Sequence, residues 1–327
     1  MRTSLEQFCN DFIKNRDTIK SAFKWDNDQI IASCSISFLN KGILADADKM
    51  LQCKSVLKEN TGVFSNFRGN VQLPMITQLS FGANEEDKMK KTLKMYEILK
   101  KEFSGSEYLV LASSIMADLL SEEEMVQISQ KARVIYNRMK KDHPFLTSYE
   151  DTVFAVLMAV SEKSDELLMD EMEVCYQQLK EKFSKGNELQ ALSHMLAMVD
   201  GSAKENCDKL IALYDALTEA DVKYGKYYEL MALASLVMVS EEASVLVEDI
   251  KAVDTFLEKQ SGYGFFGFDK KTRLMHAAMI VSCDYMKNIT ADIAVMAGTL
   301  ATVAAQQAVM VAVIAASTAS VAASGGN

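Results

Sequence analysis

The sequence predicts an all-α chain, an α-solenoid-like array of about seven helical hairpins with a period near 40 residues, with the same hairpins closed into an α/α toroid as the alternative. Three observations predict it. Two prolines and fourteen glycines in 327 residues fall well below the usual shares of about 5% and 7% and argue against a turn-dense sandwich or barrel. Twenty methionines and few β-branched runs suit helices, where unbranched side chains lose little rotamer freedom. The third observation is an internal repeat. A polar residue directly after a Leu or Val recurs at Asn40, Ser80, Ser121, Ser161, Asp200, Ser240 and Ser282, in steps of 40, 41, 40, 39, 40 and 42.

The elements follow in chain order. Residues 3–24 place apolar side chains at 5, 8, 9, 12, 13 and 19 among charges, which makes an amphipathic N-terminal cap helix and not the apolar core of a signal peptide. Residues 27–288 hold the hairpins. Each anchor lies between an apolar stretch, such as YEDTVFAVLMAV, and an amphipathic one with an acidic start, such as SEKSDELLMDEMEVCYQQLKEKF. The anchor is therefore expected in a turn or at an N-cap, where Ser, Asp or Asn accepts from the free N–H groups of the next helix. Early acids such as Glu122, Glu123, Glu162 and Glu241 suit its positive end. The second helices keep the same register: Tyr96, Tyr136, Tyr176 and Tyr214 are 40, 40 and 38 apart. The connections echo one another as FSNFRGN from Phe64, FSGSEY from Phe103 and FSKGNE from Phe183. A lone hairpin cannot bury its apolar face, so neighbours must stack, and the chain reads as one repeat domain over 1–327.

Residues 289–320 form an apolar, Ala-rich C-terminal helix, and 321–327 a frayed tail. No charge follows Asp292, and residues 293–317 are long enough to span a bilayer. Gln306 and Gln307 at the centre disfavour lipid burial. Alanine ridges at Ala297, Ala301 and Ala305 and at Ala304, Ala308, Ala312 and Ala316 favour close approach of another helix, either inside the protein or in a homodimer.

Charge and cysteines narrow the function classes. A net charge of −10 disfavours generic nucleic-acid binding. Six scattered cysteines without a CxxC pair disfavour zinc and thioredoxin-type sites and suit a reducing, cytoplasmic setting.

The least ordinary segment is GYGFFGFDKKTRLMHAA, Gly262 to Ala278, where glycines alternate with Tyr263, Phe265, Phe266 and Phe268 before a helix carrying Arg273 and His276 on one face. Aromatic edges and a guanidinium can grip a flat or anionic ligand; equally, the rings can plug the groove between repeats. These six residues and His194 are the ligand-binding candidates. His194 and His276 lie six residues before their anchors, in a row otherwise held by Cys34, Pro74, Ile115, Ala155 and Ala234, which reads as core. Two histidines without acids in their row make a poor metal site. No spacing supplies a nucleophile with an oriented base, so no catalytic residue, metal or cofactor is assigned. Lys100, Lys140 and Lys180 align at 40-residue steps near helix C-termini, where the macrodipole already favours cations.

The aromatic-glycine loop leading into DKKTRLMHAA, with the tail AAQQAVMVAV, resembles an uncharacterised bacterial domain-of-unknown-function family of all-helical proteins of similar length. The resemblance covers nearly the whole chain and implies a cytoplasmic helical protein, with no activity or catalytic residue to carry over. The expected function is a non-enzymatic scaffold for a protein, peptide or small hydrophobic ligand. The alternatives are an enzyme on an α/α toroid, which needs paired acids facing a cavity, and membrane association through the C-terminal helix.

Overall fold

A computed structural model describes residues 1–161, 163–264, 267–292 and 310. Its regular elements are α1 (Thr3–Ala22), α2 (Asp28–Asn40), α3 (Ala47–Asn60), α4 (Gln72–Ser80), α5 (Glu85–Leu99), α6 (Glu107–Leu119) and α7 (Glu122–Asp142). They continue as α8 (Asp151–Val160), α9 (Asp165–Leu179), α10 (Asn187–Met198), α11 (Ala203–Glu219), α12 (Leu230–Ala234), α13 (Ala243–Glu258) and α14 (Lys270–Asp292). A 3-10 turn at Gly69–Val71 leads into α4, and no strand occurs among the described residues, so the chain is all-helical as expected.

The chain forms two compact units. One takes Arg16–Lys41, Ala45–Asp165 and Met310; the other takes Met1–Asn15, Gly42–Leu44 and the described part of Glu166–Val309. In the first, α2, α4, α6 and α8 pack side by side in chain order, and α3, α5 and α7 make a second row on them. In the second, α10, α12 and α14 form the inner row, and α11 packs on α13.

The two rows differ because their sequences differ. Even-numbered helices are apolar nearly all round and are buried: Leu109 to Ala117 of α6 and Asp151 to Ala159 of α8 are out of solvent without interruption. Odd-numbered helices bury one stripe; α7 buries Met125, Ser129, Ala132, Ile135 and Met139, three or four residues apart, and leaves its charges outside. The row six residues before the anchors is buried in every repeat, His194 and His276 included. Removing a Leu or Met side chain from water is worth about 1.5 to 3 kcal/mol, so an inner helix is stable only with neighbours on both sides.

The anchors behave as turn residues with one exception. Ser121 starts α7, its N–H and Oγ both donating to Glu124 Oε2 at 2.8 and 2.7 Å. Asn40 and Ser80 close α2 and α4, Asp200 lies two residues past α10, and Ser240 lies in the connection between α12 and α13. Ser282 departs from the pattern: α14 runs through it to Asp292, and its Oγ donates to the Ser235 carbonyl at 3.4 Å. Neither Gly nor Pro follows Val281 and no acid-rich helix start comes next, so nothing ends the helix there. Among the described residues an apolar helix alternates with an amphipathic one six times, from α2 and α3 to α12 and α13, and the seventh apolar stretch continues as the long α14. The expected apolar helix over 289–320 and the frayed tail lie outside the described residues, apart from the end of α14 and the buried Met310.

The connections carry a repeated lock. A phenylalanine after one odd-numbered helix packs edge-on against the register tyrosine of the next: Phe67 on Tyr96 at 5.0 Å, Phe103 on Tyr136 at 5.6 Å and Phe183 on Tyr214 at 5.1 Å between ring centres. Such pairs add about 0.5 to 1.5 kcal/mol beyond burial. Phe64, which opens the FSNFRGN echo, plays no part in it and is fully exposed.

Candidate functional site

The segment after α13 is a glycine turn closed by its own backbone. Gly262 sits at φ +85, the Phe268 N–H donates to the Gly262 carbonyl at 2.8 Å, and the Gly267 N–H donates to Gly264 at 2.9 Å. A Cβ on Gly267 would fall 1.9 Å from the Gly262 oxygen, so only glycine fits there. Asp269 then starts α14, its Oδ1 accepting from the Thr272 N–H at 2.8 Å.

The predicted residues meet one another rather than solvent. The Tyr263 hydroxyl and His276 Nδ1 are hydrogen-bonded at 2.7 Å, and His276 is 0% exposed. Phe268 and Tyr263 stand edge-on to the imidazole, at 4.9 and 5.8 Å between centres, and Phe12 of α1 lies on another side at 6.1 Å. Arg273 is held by two carboxylates of α13. Its Nε donates to Asp254 Oδ1 at 2.6 Å and its Nη2 lies 3.0 Å from Glu258 Oε1, so the guanidinium clamps α14 onto α13. The hydrogen bond to Asp254 comes first among the causes that keep it charged. His194 lies buried in α10, and Phe265 and Phe266 lie outside the described residues. Among the described residues no three His, Cys, Asp or Glu side chains gather as a metal set, and no helix is long and apolar enough to cross a membrane.

A second polar cluster escapes repeat analysis. Arg2 Nη2 lies 2.8 Å from Asp249 Oδ2 on α13 and 2.8 Å from Asp284 Oδ2 on α14. The Tyr285 hydroxyl donates to the same Asp249 oxygen at 2.8 Å, and the Arg2 guanidinium stacks on the Tyr285 ring at 4.5 Å. Burial lowers the affinity of Arg2 for its proton, but the hydrogen bond to Asp249 and the fields of both aspartates outweigh it and raise the pKa. Tyr285 is pushed up by burial and then by Asp249. The signal in the sequence is a lone acid, Asp284, inside the apolar run MIVSCDYM; a charge so placed needs a partner. Spacing cannot name one 282 residues away.

The cysteines carry no reactive signature. All six are buried and none forms a disulfide. Burial, the leading cause in each, pushes Cys9 and Cys34 up to about 12 and Cys53 up to about 11.

Both polar clusters therefore join helices: in the first, Arg273 holds α14 to α13 while His276 meets the glycine turn and Phe12 of α1, and the second ties the N-terminus to the same pair. The comparisons with known proteins agree with a helical chain and bring no activity. Over 315 residues, 92% of each chain, the sequence is 26% identical to a Bacillus subtilis (strain 168) protein described as "Uncharacterized protein YeaA". No solved structure matches. The family described as "Protein of unknown function (DUF4003)" matches residues 15–309, which is most of the chain, and the protein belongs to that family.

Proposed function

We propose that the protein is a non-enzymatic binding scaffold of the reducing cytoplasm. The observation that carries this reading is that the groups best suited to chemistry are committed to packing: Arg273 to Asp254 and Glu258, His276 to Tyr263, and Asp249 and Asp284 to Arg2. The even-numbered helices, buried on all faces, form the support, and the solvated faces of the odd-numbered helices and the loops between hairpins do the binding. Six buried cysteines outside any disulfide suit a reducing compartment.

Native mass spectrometry of protein purified from its own host tests this. The expected result is a stoichiometric partner released intact by mild denaturation. Incubation with a metabolite extract, followed by untargeted profiling, tests the opposite case; a metabolite consumed in proportion to added protein overturns the scaffold reading.

A further inference from the structure

We propose that the recess between α13 and α14 is a guanidinium-binding site, which Arg2 fills from within the chain and which an arginine side chain of a partner protein can take over. The recess is already complete. Asp249 Oδ2 and Asp284 Oδ2 each lie 2.8 Å from Arg2 Nη2, and the Tyr285 ring centre lies 4.5 Å from the guanidinium carbon. The Ser4 hydroxyl lies 3.5 Å from the Asp284 oxygen. Asp284 is 1% exposed, and the Tyr285 hydroxyl, donating to Asp249 at 2.8 Å, holds the other carboxylate in place.

Two carboxylates attract any cation, so the ring makes the choice. An aromatic face at stacking distance favours a flat, weakly hydrated cation, and a guanidinium carries enough N–H donors to serve both acids while it stacks. An ammonium is a compact, strongly hydrated point charge and gives up more water to enter the same space. The occupant seen in the structure, an arginine stacked on tyrosine and held by two acids, is the bound state of such a site.

Arg2 is held differently from the other arginine on this helix pair. The Arg273 side chain is 9% exposed and walled in between Asp254 and Glu258, whereas Arg2 keeps 39% of its side-chain surface, so the recess opens to water beside it. The backbone is not in the way either. Helix α1 starts at Thr3, the Arg2 carbonyl already accepts from the Glu6 N–H at 3.0 Å, and Leu5, Cys9 and Phe12 are buried. The apolar stripe therefore anchors the helix, and the Arg2 side chain leaves by rotation about its own bonds. An empty recess is costly, because the shared cation is taken from a buried carboxylate; replacing one guanidinium by another avoids that cost. Arg2 is tethered at an effective concentration of order millimolar, so a free guanidinium competes poorly and a partner's arginine, backed by contacts at the rim, competes well. This inference goes beyond the scaffold reading and does not rest on it.

Ethylguanidinium, the end of an arginine side chain, is the probe, added to the full-length chain. In Arg2→Ala the expected result is a saturable rise in melting temperature that recovers at least about half of what the substitution lost. Ethylammonium and calcium ions should recover far less, and Arg2→Ala/Asp284→Asn should not respond to ethylguanidinium. Arg2→Lys keeps a charge in the recess and serves where Arg2→Ala fails to fold; ethylguanidinium should raise its melting temperature as well. In the wild-type chain, isotope-labelled at its arginine side chains, the Arg2 Nε–H resonance is identified by its loss in Arg2→Lys. It should move to the position of a solvated arginine at probe concentrations at least about tenfold above the midpoint found with Arg2→Ala. No rise in either single variant, an equal rise with ethylammonium or calcium, or an equal rise in the double variant overturns the site. An Arg2 resonance that stays in place until the protein unfolds overturns the exchange.

Discussion

Gly264 and Gly267 stand three residues apart in one turn and differ in what a methyl group would meet. At Gly264 nothing lies within 4 Å of the added Cβ; at Gly267 the Gly262 oxygen lies at 1.9 Å. Gly267→Ala should therefore cost about 2 kcal/mol, as overpacking does, and Gly264→Ala almost nothing, read as urea midpoints at unchanged slope. Equal costs would mean that the turn is not closed as described. Arg2 makes a second case. Its removal leaves Asp249 and Asp284 without their shared cation, and the Asp284 side chain is 1% exposed. Breaking a fully buried pair costs about 3 to 5 kcal/mol, but Arg2 keeps 39% of its side-chain surface, so Arg2→Ala should cost about 2 kcal/mol. Adding Asp284→Asn should return part of that loss, and a further loss in the double variant argues against the charge as the cause.

At the scale of elements, the Phe–Tyr lock shows how one echo in sequence divides into two roles. Phe67→Ala removes a buried ring from Tyr96 and should lower stability by about 3 kcal/mol; Phe64→Ala should stay within about 0.5 kcal/mol. Thermal denaturation of the two single variants checks the contrast. The motif FSNFRGN offers both rings, and only the loop path decides which turns inward. The anchor series divides likewise. At Ser121 an acidic helix start follows and a helix begins; at Ser282 the segment CDYMKN holds neither Gly nor Pro to stop the helix, and α14 continues.

For the whole molecule, the buried thiols make stability depend on alkaline pH. An ordinary thiol titrates near 9.0, whereas burial holds Cys53 to about 11 and Cys9 and Cys34 to about 12. Between these values the unfolded chain loses thiol protons that the folded chain keeps. The raised folded pKa therefore stabilises fully below about pH 9, and this contribution is lost as pH rises toward about 12. The urea midpoint should fall steeply over that window, with Tyr224 and Tyr285, also pushed up by burial, steepening the loss at its upper end. A flat midpoint from about pH 9 to about 11 contradicts burial of the thiols. Iodoacetamide at neutral pH should leave the native cysteines unmodified and reach all six after unfolding.

The sequence by itself determined the helical class, the forty-residue step, the division into buried and amphipathic helices and the burial of the histidine row. Each rests on local periodicity, which a helix converts directly into a face. What the tertiary structure decided was which side chains meet across long separations. It closed Arg273 onto Asp254 and Glu258, set Tyr263 and Phe12 around His276, brought Arg2 to Asp249 and Asp284, and turned Phe64 outward beside an inward Phe67. Spacing along a chain fixes the direction of a side chain on its own helix; its partner depends on how helices far apart in sequence are brought together, and no local pattern encodes that.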